Sequence, residues 1–289
     1  MEIYTEDQWK AERECYQAEI RPWVERRRER RSRGLKHPFE DFLWEYYALR
    51  GGRMLQWSPG AGIGLVGGGE DLFPEKEGYA QQGDVRYLDP FLWAAKRKNG
   101  LRWIRNLLIQ TQNRAPVYAC LGLHEWAMVY EEKDVRHPQL PLRLGHVETR
   151  NMVESMPLQC THFDAFRFFS ESAKPLNATT LSSEGSPQQE QPGCLHANMD
   201  LYKWCMKLQP LVPSSLVIDC FHLAWRAREI DMRASPYDVS SMGYEPICIE
   251  TPAGRKSYVA LQKKISEEAR PLRARLIEVL ELDVVLAAG

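Results

Sequence analysis

Four short pairings of histidine with carboxylate fall between residues 124 and 222: His124-Glu125, His162-x-Asp164, His196-x3-Asp200 and Asp219-x2-His222. Imidazole and carboxylate together are the raw material of acid–base catalysis and of metal ligation. On a helix, residues four or three apart share a face, so His196/Asp200 and Asp219/His222 can each present both groups together. His124 and Glu125 are adjacent and point about 100° apart on a helix. Asp164 has a ready local partner in Arg167, three residues on.

The strongest pairs lie in polar stripes. After Pro213, Asp219, His222, Arg226, Glu229 and Arg233 recur at a spacing of three or four and border an apolar stripe of Leu216, Cys220, Leu223, Ala227 and Ile230. In the preceding segment His196, Asp200, Lys203 and Lys207 border Leu195, Met199, Tyr202 and Met206. Two readings stay open. The stripes face one another across a polar cavity, as in the metal sites of helical bundles, or they are the charged flanks of two amphipathic helices. The E-x-x-H pair of ferritin-like sites is absent, and His124-Glu125 lacks the second histidine of the zinc-protease motif. His37, His137 and His146 lie near Pro or Gly in loops and read as structural.

The elements that must position these groups read as helices. Residues 5–33 form a long charged helix interrupted early by Pro22, 38–50 a short aromatic helix, and 90–112 one or two helices with a break at Asn99-Gly100. Residues 117–132 look helical, 137–146 are a Pro-rich connection, 162–170 a short Phe-dense helix, and 171–193 a flexible Ser/Pro/Gln/Glu-rich loop. Helices follow over 194–208 and from Pro213 to about 234; 244–250 alternates weakly as a strand; Thr251 or its neighbour caps a last helix broken or kinked at Pro271. The fold class is mainly α: a compact helical domain over 36–289 with a few short strands, preceded by a charged N-terminal helix over 1–35. Gly62, Gly64 and Gly67 fit G-x-G-x-x-G, but Gly68-Gly69-Glu70-Asp71 follows, a poor start for a dinucleotide-binding helix, so 58–69 reads as a flexible loop.

Composition narrows the class. The 44% hydrophobic content of the 289 residues supplies a full core. A net charge of −1 gives no global field toward nucleic acid or membrane, which leaves only local basic patches such as Arg26, Arg27, Arg28, Arg30, Arg31 and Arg33, themselves mixed with Glu25 and Glu29. Seven cysteines with no C-x-x-C argue against a zinc ribbon and a disulfide scaffold. No apolar run spans a bilayer and no signal-peptide pattern begins the chain, so a cytoplasmic protein without membrane partners is expected.

The stretches KHPFEDFLWEYYALR, GLHEWAMVY, RHPQLPLRLG, HFDAFRFF, QPGCLHANMDLYKW and EIDMRASPYDVSSMGYEPICIETPAGR together resemble a family of bacterial proteins of about this length named 3-methyladenine DNA glycosylase, over roughly residues 35 to 275. The resemblance implies a DNA base-excision enzyme that hydrolyses the N-glycosidic bond of an alkylated purine without a cofactor. A carboxylate, with Glu125, Asp164 and Asp200 as candidates, would stabilise positive charge on the sugar or activate water, beside the acid–base candidates His162, His196, Asp219 and His222. Trp126, Phe166, Tyr202 or Trp204 would bind the cationic flipped base. DNA phosphates would meet the 26–33 arginines or Lys96, Arg97, Lys98, Arg102 and Arg105. Helix-hairpin-helix glycosylases use a well-placed hairpin; here only Pro59–Gly62 is similar to one. Read from the residues alone, the alternatives are a metal-dependent oxidase or hydrolase of a small molecule, with iron or zinc on His196, Asp200, Asp219 and His222, and a nonenzymatic binding protein.

Overall fold

The N-terminal helix starts where its chemistry dictates. The Thr5 side chain accepts from the Gln8 amide and the Gln8 side chain accepts from the Thr5 amide, a reciprocal capping box. From there α1 (Glu6–Ser32) runs unbroken. It passes through Pro22 because Trp9, Tyr16, Ile20 and Val24 bury a continuous face on both sides of the proline. In the computed structural model, which describes residues 1–47, 49 and 51–281, the fold is mainly α, as the periodicities predict. The chain divides into two compact units: Met1–Leu108, Leu201–His222 and Pro271–Gly289 form one, Ile109–Asp200 and Leu223–Arg270 the other.

Unit 1 holds a small sheet of β1 (Glu2–Tyr4), β2 (Ile63–Val66), β3 (Tyr79–Gln82) and β4 (Val85–Leu88), in the order β1-β2-β4-β3. β1 and β2 are parallel, with Ile3 opposite Gly64; β4 runs antiparallel to both its neighbours. The glycine run expected as a loop thus contributes a strand. A Cβ on Gly64 would lie 2.6 Å from Val85 Cγ1, so only glycine fits there. The unit also contains α2 (Phe42–Glu45), α3 (Gly51–Met54), α4 (Pro90–Ala94) and most of α5 (Lys98–Asn113). α2 is much shorter than the expected 38–50 helix, of which positions 48 and 50 lie outside the described residues. The break near residue 99 falls instead at 95–97, and Gly100 sits in the first turn of α5. Trp9, Trp57, Phe73 and Tyr79 form an aromatic core. The arginine patch of α1 is partly neutralised: Arg30 binds Glu40 and Asp41, Arg26 binds Glu40, and Arg33 binds Glu29.

Unit 2 contains α6 (Leu123–Ala127), α7 (Gly145–Ser155), α8 (Phe163–Phe166) and α9 (Ser186–Gln189), with the start of α10 (Leu195–Leu208), the end of α11 (Ser214–Ala234) and most of α12 (Pro252–Val279). α6 is the only helix within the expected 117–132 helix, because a turn at Leu121 and Gly122 with positive φ precedes it. Residues 171–193 are mostly irregular, yet they bury Ala173, Leu181, Ser186, Glu190 and Gln191. Their backbone is tied down. Gln191 accepts from the Val117 and Gly193 amides at 2.8 and 2.7 Å and donates to the Val117 carbonyl at 3.0 Å. Arg114 donates to the Pro187 and Glu190 carbonyls, both at 2.7 Å.

The weak alternation at 244–250 makes no strand; its backbone forms turns, with Ile247 N–H on the Arg233 carbonyl at 2.7 Å. Thr251 caps α12 by accepting from the Gly254 amide at 3.0 Å. α12 passes through Pro271 without a break, held by buried Ile265 and Ala269 before it and Leu276 after it.

The first turn of α12 rests so closely on 244–250 that a Cβ on Gly254 would stand 1.9 Å from the Cys248 carbonyl oxygen. Gly254→Ala is therefore expected to destabilise the chain by at least about 2 kcal/mol. Gly100→Ala, where the added Cβ meets nothing within 4 Å, should stabilise it by about 0.5–1 kcal/mol. Urea unfolding of the two variants checks the pair, and a neutral Gly254→Ala would refute the tight approach.

Candidate active site

The residues that converge come from short, locally constrained segments of unit 2. Leu121 (φ 52°) and Gly122 (φ 77°) turn the chain sharply between Cys120 and α6. Gly122 is needed there because the left-handed backbone disfavours any Cβ, and the Tyr258 ring and Ala234 stand only 3.3–3.4 Å from where one would be. α6 then buries all five of its residues, and His124 and Glu125 reach different members of one pair, Asp231 and Arg228. Asn177 acts like a strand partner, accepting from the Cys160 amide at 2.8 Å and donating to the Cys160 carbonyl at 3.1 Å. That contact sets the segment leading to His162. His162 caps α8, its Nδ1 accepting from the Ala165 amide at 3.3 Å. The α10 start is fixed through the Pro192 carbonyl, which accepts from Asn198 Nδ2 at 3.0 Å and Ser266 Oγ at 2.7 Å.

A chain of contacts runs through the centre. Cys120 Sγ lies 3.3 Å from His124 Nδ1, and His124 Nε2 lies 2.7 Å from Asp231 Oδ1. Arg228 Nη1 donates to Asp231 Oδ2 at 2.9 Å and to Glu125 Oε1 at 2.6 Å. Thiol, imidazole, carboxylate, guanidinium and carboxylate alternate, and every group but the partly exposed Cys120 is at most 4% exposed. The His196 ring stands edge-on to His124 with centroids 4.6 Å apart, and the His162 ring lies 5.4 Å from that of His196. With Nδ1 accepting, His162 carries a proton on Nε2, 3.3 Å from Asp200 Oδ2 and 3.8 Å from a Glu190 oxygen.

Alternation decides the protonation states. A hydrogen bond from the Cys160 thiol and the adjoining His124, working against burial, hold the Cys120 thiol well below its ordinary value. Burial opposes charge on His124, but Asp231 and Cys120 outweigh it and hold the imidazole well above its usual range. Burial likewise raises Glu125, and the Arg228 guanidinium followed by His124 reverses this to about 2. Burial pushes Asp231 up, a rise that His124 and Arg228 limit. His196 goes the other way: burial and then the neighbouring His124 and His162 push it well below its usual value, so it stays neutral.

Of the sequence candidates, Glu125, His162, His196 and Asp200 come together here. Asp200 partners His162, although the H-x3-D spacing paired it with His196. Asp164 does not join them; it pairs with Arg167 at 3.2 Å on the surface. Asp219 and His222 belong to unit 1 and bind Arg275 at 2.7 Å and Glu19 at 2.6 Å. Among the aromatic candidates, Trp126 is wholly buried with Nε1 on the Ala234 carbonyl at 2.8 Å, and Phe166 packs on Phe169. Tyr202 and Trp204 are core residues of unit 1, Tyr202 on Phe221 and Trp204 on Trp103. Sequence reasoning missed Cys120, Arg228 and Asp231. Arg228 and Asp231 stand i,i+3 on α11, and C-x3-H was present at 120–124.

His124, His196 and Asp231 also offer donor atoms within 4.8 Å of one another, a set that iron or zinc could use. Both nitrogens of His124 are already engaged by acidic partners, however. A metal ion there would displace the proton that His124 shares with those partners. The contacts as they stand form a proton network. No family model, curated protein or solved structure matches the chain.

Arg228 faces two buried carboxylates, so Arg228→Met should cost about 3–5 kcal/mol, because removing one partner leaves buried charge uncompensated. Arg226→Met breaks only an exposed pair with Glu268 and should cost under about 1 kcal/mol. Equal losses in chemical denaturation would contradict the network.

Proposed function

We propose that the chain is an enzyme of the thiol-nucleophile class, with Cys120 as nucleophile, His124 as its base and acid, and Asp231 as the group that orients His124. The observation that carries this is the alignment of Cys120 Sγ at 3.3 Å from Nδ1 and Asp231 Oδ1 at 2.7 Å from Nε2 of a single imidazole. A positioned nucleophile, its base and a group orienting that base are the recurring parts of such sites. The positive φ at Leu121 adds backbone strain of the sort found at functional sites. The substrate class is an acyl compound. The thiolate forms a bond to the carbonyl carbon, the leaving group departs with the proton from His124, and water, deprotonated by His124, releases the acid and restores the thiol. The amides of Leu121 and Gly122, which donate to no acceptor among the described residues, are available to a developing oxyanion.

A second reading is favoured by one observation. The motifs that resemble the DNA glycosylase family supply His124, Glu125, His162, His196, Asp200 and Asp231, which supports reading this cluster as the place where the activity that the resemblance implies would act. With Glu125 held by Arg228, Asp200 beside His162 is the carboxylate suited to N-glycosidic cleavage.

Limited iodoacetamide labelling at pH 6, mapped by peptide mass, tests the first reading. Cys120 should react at least about tenfold faster than exposed Cys15, as expected of a thiolate beside an imidazolium, and Asp231→Asn should abolish that advantage. Cys120 reacting more slowly than Cys15, or stoichiometric metal in protein purified without chelator, would overturn it. For the second reading, methylated duplex DNA should release free 3-methyladenine, and Asp200→Asn should stop the release. No release above buffer at high protein concentration removes it.

A further inference from the structure

A separate cavity lies within unit 1. Its volume is about 870 Å³, in the range of small-molecule sites. The Pro59–Gly62 segment, which the site above does not use, forms part of its wall. Gly60 has φ 88°, and a Cβ there would stand 2.9 Å from the Pro213 nitrogen, so only glycine lets the segment lie flat against the start of α11. The wall is fixed by backbone: Ala61 N–H donates to the Leu211 carbonyl at 3.1 Å and Ser214 N–H to the Ser58 carbonyl at 2.9 Å.

The lining combines aromatic rings with carboxylates. Tyr4, Tyr16 and Trp57 contribute rings; Glu12, Glu19 and Glu278 contribute negative charge. Arg275, the only Lys or Arg among the described lining residues, is bound by Asp219 at 2.7 Å, and Glu19 is bound by His222 at 2.6 Å. Glu12 accepts a hydrogen bond from the Tyr4 hydroxyl, and among the described residues no ion pair engages Glu12 or Glu278. Aromatic faces attract a cation through their quadrupole, carboxylates without a cationic partner attract it by charge, and both disfavour an anion. We propose that this cavity binds an organic ammonium ion carrying an apolar body. The ammonium group lies by Glu12 and Glu278, and the body rests against Trp57 and the aliphatic floor of Leu211 and Leu216. The site is independent of the thiol chemistry of unit 2.

Benzyltrimethylammonium chloride is the probe, with sodium p-toluenesulfonate as an anion of similar size. Calorimetry should show saturable binding of the cation and none of the anion. Cys15 is exposed and lines the same cavity, so the cation should also slow its alkylation. Glu12 and Glu278 are exposed, and the double variant E12Q/E278Q should fold normally while weakening binding at least about fivefold. Ser215→Trp, from an exposed position on the rim, should abolish binding by filling the space, with the thermal transition of the chain as the check on folding. Absence of saturable cation binding, equal binding of cation and anion, or wild-type affinity in E12Q/E278Q would overturn the proposal.

Discussion

The buried Arg228 guanidinium is the interaction on which the rest of unit 2 depends. Asp231 and Glu125 are both buried, and two such carboxylates side by side would repel and take up protons. One planar fork that donates to both lets them stay charged. The charged Asp231 then holds His124 by Nε2 and turns its Nδ1 toward Cys120. Remove the guanidinium and each later link loses its reason: Asp231 gains a proton, His124 loses its anchor, and Cys120 becomes an ordinary thiol.

The packing around this network is unusually rich in side chains that bind backbone. Gln191, Asn177, Arg114, Asn198 and Gln262 all bond main-chain groups of irregular segments. Such segments lack helix or sheet partners for their own amides and carbonyls, so the side chains satisfy what secondary structure does not. The result is a set of loops held in place tightly enough to aim Cys120, His162 and His196.

Much of this was legible in the chain. Capping residues and periodicity located α1, α10, α11 and the start of α12, because those signals are local. The shared face of His196 and Asp200 followed from helical spacing, while their burial came from the packing around the start of α10. The role of Cys120 was hidden because it depends on the Leu121–Gly122 turn, where helical spacing does not apply. Arg228 and Asp231 were hidden because they lie off the apolar and polar stripes of α11 that drew attention. Asp219 and His222 share a face as the spacing predicted, yet periodicity says nothing about depth, and both meet partners at the surface. The prolines at 22 and 271 were over-read as breaks, since burial on both flanks carries each helix past one missing hydrogen bond.

Unit 2 is discontinuous in the chain, with residues 201–222 belonging to unit 1 between its two parts. During synthesis His124 and Glu125 leave the ribosome more than one hundred positions before Asp231 and Arg228. Until then the unit lacks both the guanidinium and the carboxylate that give those side chains their charge states. The site is thus assembled by contacts of large sequence separation, which close slowly. The charge states of His124 and Glu125 are therefore set only after residue 231 has been made, by a part of the chain far from their own.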